Sequence, residues 1–82
     1  MKITVRFFAL LRDRAGVSDM EIGLEDGDTV ARVVELIGER LPQLKPLLSR
    51  VACAVNQAYA EPAVLLHDGD ELALIPPVSG GC

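Results

Sequence analysis

At 82 residues, half of them apolar, the chain has room for one compact core and no second domain. Its formal charge of -4, with Lys and Arg scattered and aromatic residues scarce, leaves nothing to neutralise phosphates or stack bases, which argues against nucleic acid as a partner. A chain this short spends its interior on packing residues and has little left to wall off a substrate pocket of about 300 Å³ or more, so its chemistry is expected to be shared with a partner.

No stretch approaches the roughly 20 apolar residues of a membrane span, and the start alternates instead of forming a signal-peptide block, so a cytoplasmic protein without membrane contact is expected. Cys53 lies in an apolar run and Cys82 ends the sequence, a placement that does not suit a structural disulfide. Cys53 reads as a small core residue.

Ile3, Val5 and Phe7 alternate with Lys2, Thr4 and Arg6, the period of a strand with one buried face, ending near Phe8. Ala9 to Ala15 holds good helix formers and stops at Gly16, which suits the left-handed conformation that closes a helix. Met20, Ile22 and Leu24 alternate as a second strand. Glu25-Asp26-Gly27-Asp28 reads as a turn, and Thr29 as the residue that caps a helix carrying Val30, Val33, Ile37 and Leu41 on one face. Pro42 and Pro46 permit only a short helical piece around Leu44, Leu47 and Leu48.

Val51, Cys53 and Val55 predict a third strand, Asn56-Gln57 a turn, and Ala58-Tyr59 a brief strand closed by Glu61-Pro62. His67-Asp68-Gly69-Asp70 is a second Gly-centred turn, followed by Leu72 and Leu74 alternating with Ala73 and Ile75. Strand, strand, helix, strand, short strand, strand describes an α+β protein with one mixed sheet packed on a single main helix. Residues 1–75 form the domain and 76–82 an extended, flexible C-terminal tail.

That tail is the feature a structural account does not need. Pro76 and Pro77 lack an amide hydrogen and fix one dihedral each, so they lift the chain off the sheet in a stiff, extended direction. Val78 and Ser79 are small, and Gly80-Gly81 lack a β-carbon, so the backbone can thread a narrow channel and expose its carbonyl to a reactant. The six residues from Pro76 to Gly81 reach roughly 20 Å when extended. The acidic pairs Asp26 and Asp28, and Asp68, Asp70 and Glu71, flank turn glycines and are assigned to hairpins, not to a metal or an acid-base pair. His67 has no partner at ligand spacing, and no metal site is expected. Arg12 and Arg14 read as solvated charge near the tail end of the sheet.

Val5-Arg6-Phe7-Phe8-Ala9-Leu10-Leu11-Arg12, Ala54-Val55-Asn56-Gln57, and the run from Leu66-His67-Asp68-Gly69-Asp70-Glu71 through Leu72 to Ile75 and Pro76-Pro77-Val78-Ser79-Gly80-Gly81 together resemble the molybdopterin synthase small subunits. The resemblance spans essentially the whole chain and implies the ubiquitin-like β-grasp fold, with the first and last strands parallel neighbours. It also implies that Phe8, Ala54, Ala73 and Ile75 share the face opposite the helix, as an apolar docking patch at the base of the tail.

By the same resemblance, an adenylyltransferase of the ubiquitin-activating type uses ATP to adenylate the carboxylate of Gly81, which becomes a thiocarboxylate. The tail then enters the synthase large subunit and gives sulfur to cyclic pyranopterin monophosphate for molybdenum cofactor biosynthesis. The chain itself holds no cofactor and is no enzyme alone. Rival readings are a sulfur carrier for thiamine thiazole, tRNA thiolation or cysteine, a ubiquitin-like modifier of lysines, and a plain interaction module. Cys82 departs from the pattern, because it makes the Gly81 carbonyl an amide. A peptidase removes it, or it is an artefact of the sequence end, or its thiol attacks the Gly81 carbonyl, a step that is uphill for a simple amide.

Overall fold

A computed structural model of the chain describes residues 1–77; the expectations placed on Val78, Ser79, Gly80, Gly81 and Cys82 lie outside the described residues. The chain runs β1 (Lys2–Phe7), α1 (Ala9–Ala15), β2 (Asp19–Gly23), α2 (Val30–Arg40), a 3-10 turn (Pro42–Leu44) leading into α3 (Lys45–Leu48), β3 (Ala52–Val55), β4 (Ala58–Tyr59) and β5 (Glu71–Ile75). The strands form one mixed sheet in the order β2-β1-β5-β3-β4. β1 and β5 are parallel central neighbours, with Thr4 opposite Glu71 and Phe7 opposite Leu74, while the other pairs are antiparallel. This is the α+β, β-grasp arrangement that the alternation and the resemblance predict.

The period-two pattern of β1 becomes burial directly: Ile3, Val5 and Phe7 are inside, and they meet Leu72 and Leu74 of β5 and Ile22 of β2. Val30, Val33 and Ile37 supply the matching stripe of α2, and Leu11 and Leu44 complete the core from α1 and the 3-10 turn. Burying each of these side chains contributes about 1.5–3 kcal/mol relative to leaving it exposed.

The first amides of α2 have no partner within the helix, so each needs one elsewhere. Val30 N–H donates to the Val64 carbonyl at 3.0 Å and Ala31 N–H to the Pro62 carbonyl at 2.9 Å. Arg32 N–H donates to Thr29 Oγ1 at 3.3 Å, and Val33 N–H to the Thr29 carbonyl at 3.2 Å. The cap at Thr29 was legible in the sequence, whereas the contribution of the loop after β4 was not. That loop also pairs with the chain at an isolated bridge between Thr29 and Leu65.

Gly16 closes α1 at φ 81°, its N–H donating to the Arg12 carbonyl at 3.0 Å. A β-carbon added there would meet nothing within 4 Å, so substitution costs only backbone strain. Gly16→Ala should therefore lower the unfolding free energy by about 1 kcal/mol, as read by denaturant titration, with the fold unchanged.

The two acidic turns are not hairpins, which corrects the sequence assignment. Glu25–Asp28 joins a strand to a helix, and His67–Asp70 joins an irregular loop to β5. Their carboxylates hold backbone amides instead: Asp28 Oδ2 accepts from Glu25 N–H at 3.0 Å, Asp70 Oδ2 from His67 N–H at 2.8 Å, and Asp68 Oδ1 from Lys2 N–H at 2.7 Å. The last of these ties the turn to the start of β1 across 66 positions of the sequence.

Candidate functional site

Parallel pairing makes β1 and β5 leave the sheet at the same end. Phe8 N–H still donates to the Leu74 carbonyl at 3.3 Å, so Phe8 continues the ladder for one residue. Phe7 points into the core and Phe8, one residue on, points to the opposite face, where it is 39% exposed. The chain then turns sharply into α1 through Ala9, whose φ of 51° lies in a region that an alanine adopts only under constraint. That turn fixes Phe8 at the rim of the sheet.

β5 is covered by the helices on one face and lies under an open groove on the other. Leu72 and Leu74 face the helices, while Ala73, opposite Arg6 on one side and Ala54 on the other, forms with Ala54 the floor of a shallow groove. The groove holds about 270 Å³ and is walled by Arg6, Phe8, Gln57, Tyr59, Glu71 and Ile75. The four residues expected on this face, Phe8, Ala54, Ala73 and Ile75, are thus brought together. Two alanines side by side leave a depression because larger residues surround them.

Arg6, Gln57, Tyr59 and Glu71 were missed from the sequence. For Arg6, Tyr59 and Glu71 the signal is the same outward alternation on β1, β4 and β5, while Gln57 lies in the β3–β4 turn; both can be used only once the strand order is known. Arg6 Nη1 lies 3.5 Å from Glu71 Oε2, and its guanidinium carbon sits 5.6 Å from the centroid of the Phe8 ring. Both groups are solvated, so the ion pair is worth about 0–1 kcal/mol and mainly orients the wall beside Phe8. Tyr59 is 83% exposed, an aromatic ring that the fold does not bury.

The far end of β5 is locked by Asn56 and Asp70. Asn56, held at φ 49° in the β3–β4 turn, donates through Nδ2 to Asp70 Oδ1 at 2.9 Å and accepts from Glu71 N–H at 3.0 Å. Its own N–H donates to the Glu71 carbonyl at 2.8 Å. The His67 amide and then the Asn56 amide hold the Asp70 carboxyl below its ordinary pKa. A pKa lowered by folding adds stability above the unfolded value of about 4 and loses it as pH falls through the folded value. Asp70→Ala should cost about 1.5–3 kcal/mol near neutral pH, with the gap to the unsubstituted chain narrowing below about pH 4 in denaturant titrations.

Ile75 is the last ladder residue, opposite Ala52, and Pro76 and Pro77 follow outside any strand. The tail therefore starts at the rim of the groove. Larger hollows occur elsewhere, about 340 Å³ between α2 and α3 and about 380 Å³ beside the start of β1, but Ile75 lines neither, so volume does not mark the site. Cys53 is half-buried, packs against the core on the side away from the groove, and burial pushes its thiol pKa up. Arg12 and Arg14 lie exposed on α1 near the tail end.

The ThiS family model matches residues 5–81, from within β1 through Gly81. The chain belongs to the ThiS family. Among relatives of this ThiS-family chain, the molybdopterin synthase sulfur carrier subunit of Chlamydomonas reinhardtii is 39% identical over 83 residues, covering 99% of this chain and 100% of that one. A chain in a protein-protein complex of subunits 1 and 2 of the molybdopterin-converting factor from Helicobacter pylori is similar in fold, with a TM-score of 0.73, 29% identity, and coverage of 99% of this chain and 100% of that one. Small archaeal modifier protein 1 of Haloferax volcanii matches with a TM-score of 0.86 and 25% identity, over 94% of this chain and 98% of that one. No helix among the described residues of this ThiS-family chain is long and apolar enough to cross a membrane.

Proposed function

We propose that the chain is the sulfur-carrier subunit of a molybdopterin synthase, acting with a large subunit and not as an enzyme alone. The family relationship supports the reading, and one structural observation carries it: β5 delivers Pro76 and Pro77 from the rim of a groove floored by Ala54 and Ala73. A body with a docking face beside the root of a narrow arm carrying Gly80-Gly81 presents a reacting atom to another protein's active site. Catalytic side chains then belong to that partner.

The chemistry begins at Gly81. A carboxylate is a poor electrophile, so an adenylyltransferase first joins it to the α-phosphorus of ATP, releasing pyrophosphate. A sulfur nucleophile then adds to the Gly81 carbonyl carbon and AMP leaves, giving a thiocarboxylate. Its soft, nucleophilic sulfur attacks cyclic pyranopterin monophosphate while the arm is held by the large subunit. ATP is bound by the adenylating enzyme, and this chain contributes reach, narrowness and the groove. The compartment consistent with these partners is the cytoplasm.

A second reading, a modifier conjugated to lysines, is favoured by the likeness to small archaeal modifier protein 1. Both readings use an activated Gly81 and differ in the acceptor. Intact-mass analysis after incubation of a chain ending at Gly81 with adenylating enzyme, ATP and a sulfur donor separates them. A carrier gains one sulfur in place of one oxygen; a modifier gives higher-mass adducts on protein lysines, and such adducts without a thiocarboxylate would overturn the carrier reading.

A further inference from the structure

The groove is not apolar throughout. Its alanine floor and aromatic wall adjoin one cation, Arg6, which projects from β1 opposite Ala73. A guanidinium is a planar fork of N–H donors that accepts nothing in return. Among the described residues its side chain makes a single, long hydrogen bond, from Nη1 to Glu71 Oε2 at 3.5 Å, and Asp19, the facing residue on β2, forms no ion pair with it. Nε and Nη2, side by side on the other edge of the fork, are left to water. The side chain is half exposed, and the Phe8 ring at 5.6 Å holds its head beside the rim of the groove.

A partner changes that balance. Pro76 and Pro77 leave the sheet from the rim of this groove, so a protein that takes up the chain beyond them is brought against the same face. An apolar cover suits Phe8, Ala54 and Ala73, but over Arg6 it strips water from donors that Glu71 does not reach. Burying a charge whose donors go unmatched is costly, and breaking a buried pair costs more than the pair contributes. The free edge of the fork matches the two oxygens of one carboxylate.

We propose that Arg6 is the specificity-determining residue of the groove, selecting a large subunit whose otherwise apolar face carries a carboxylate opposite Nε and Nη2. The proposal rests on the sulfur-carrier reading. A basic residue at that place on the partner meets like charge, and an apolar one strands the donors, so both are rejected.

Calorimetric titration of the full chain with the large subunit, at low and at high salt, is the test. Arg6→Leu removes the donors and leaves an apolar side chain at an exposed position. Binding should weaken at least about thirtyfold and lose salt dependence, with an unchanged unfolding midpoint. Arg6→Lys keeps the charge without the fork and should fall between the two. The loss should persist in a Phe8→Ala background, because it arises at the partner's carboxylate and not through the Phe8 ring. Changing the large subunit's exposed carboxylates to arginine one at a time should find one that restores binding to Arg6→Glu. Unchanged or tighter binding of Arg6→Leu, a loss that vanishes in the Phe8→Ala background, or the absence of any restoring position would each overturn the proposal while leaving the carrier reading intact. If the unsubstituted chain does not bind the large subunit at all, the carrier reading fails and the proposal with it.

Discussion

Shortening the chain to end at Gly80 is expected to reduce sulfur loading by at least about a hundredfold relative to a chain ending at Gly81, with no change in unfolding midpoint. Removing one residue withdraws the terminal carboxylate by about 3.5 Å along an extended arm. In a preorganised active site, a misplacement of about 1 Å already costs on the order of a hundredfold. Stability should not move, because the buried core among the described residues ends at Leu74, before the prolines. Mass analysis of loaded product and a thermal melt check the two halves of the prediction. Equal loading of both chains would show that the position of the last glycine is not read, and the arm would lose its role as a measured reach.

Ala73→Glu tests the groove. Ala73 is 9% exposed and sits at the centre of the floor, opposite Ala54 and Arg6, beneath open space. A glutamate there has room to extend, so folding is affected little, but it places a carboxylate near Glu71 in a surface that an apolar partner face would cover. Burying a charge without a partner is costly, and binding to the large subunit should weaken by at least about thirtyfold, or about 2 kcal/mol. Calorimetric titration reads the affinity. A glutamate on the helical side of the molecule, such as Ser49→Glu in the hollow between α2 and α3, should leave it unchanged. Loss of binding in Ser49→Glu with retention in Ala73→Glu would move the interface to the other face.

Most of the secondary structure was legible because each signal was local. The alternation in Ile3, Val5 and Phe7, the stop at Gly16 and the cap at Thr29 each depend on neighbours within one turn. Asn56-Gln57 also read correctly as a turn, and both residues take positive φ, 49° and 73°. The groove was half legible. Phe8, at the end of β1, and Ala73 and Ile75 of β5 lie on or beside the two strands expected to be parallel neighbours, and the resemblance places Ala54 of β3 on the same face with them. Arg6, Gln57, Tyr59 and Glu71 join them only through the order β1-β5-β3-β4, which is a matter of long-range pairing.

The acidic turns failed for a related reason. A Gly-centred turn with flanking aspartates has the same local composition whether a helix, a strand or a loop adjoins it. The partners that decide its role are distant: Lys2 for Asp68, and Asn56 for Asp70. The amides of α2 held by Pro62 and Val64 are likewise invisible to any local reading. The sharp turn at Ala9 carries no compositional mark either, since alanine is a helix former and the positive φ is imposed by the hand-over from β1 to α1.

The central claim, that Gly81 at the end of an arm rooted beside the groove carries sulfur to a pterin, is tested most directly by reconstitution. A chain ending at Gly81, charged to the thiocarboxylate, is mixed with a synthase large subunit and cyclic pyranopterin monophosphate, and molybdopterin is measured. Molybdopterin formed in proportion to the thiocarboxylate consumed, and none from the uncharged chain, is the predicted result. Consumption of the thiocarboxylate without any molybdopterin, with its sulfur recovered in another acceptor, would contradict it.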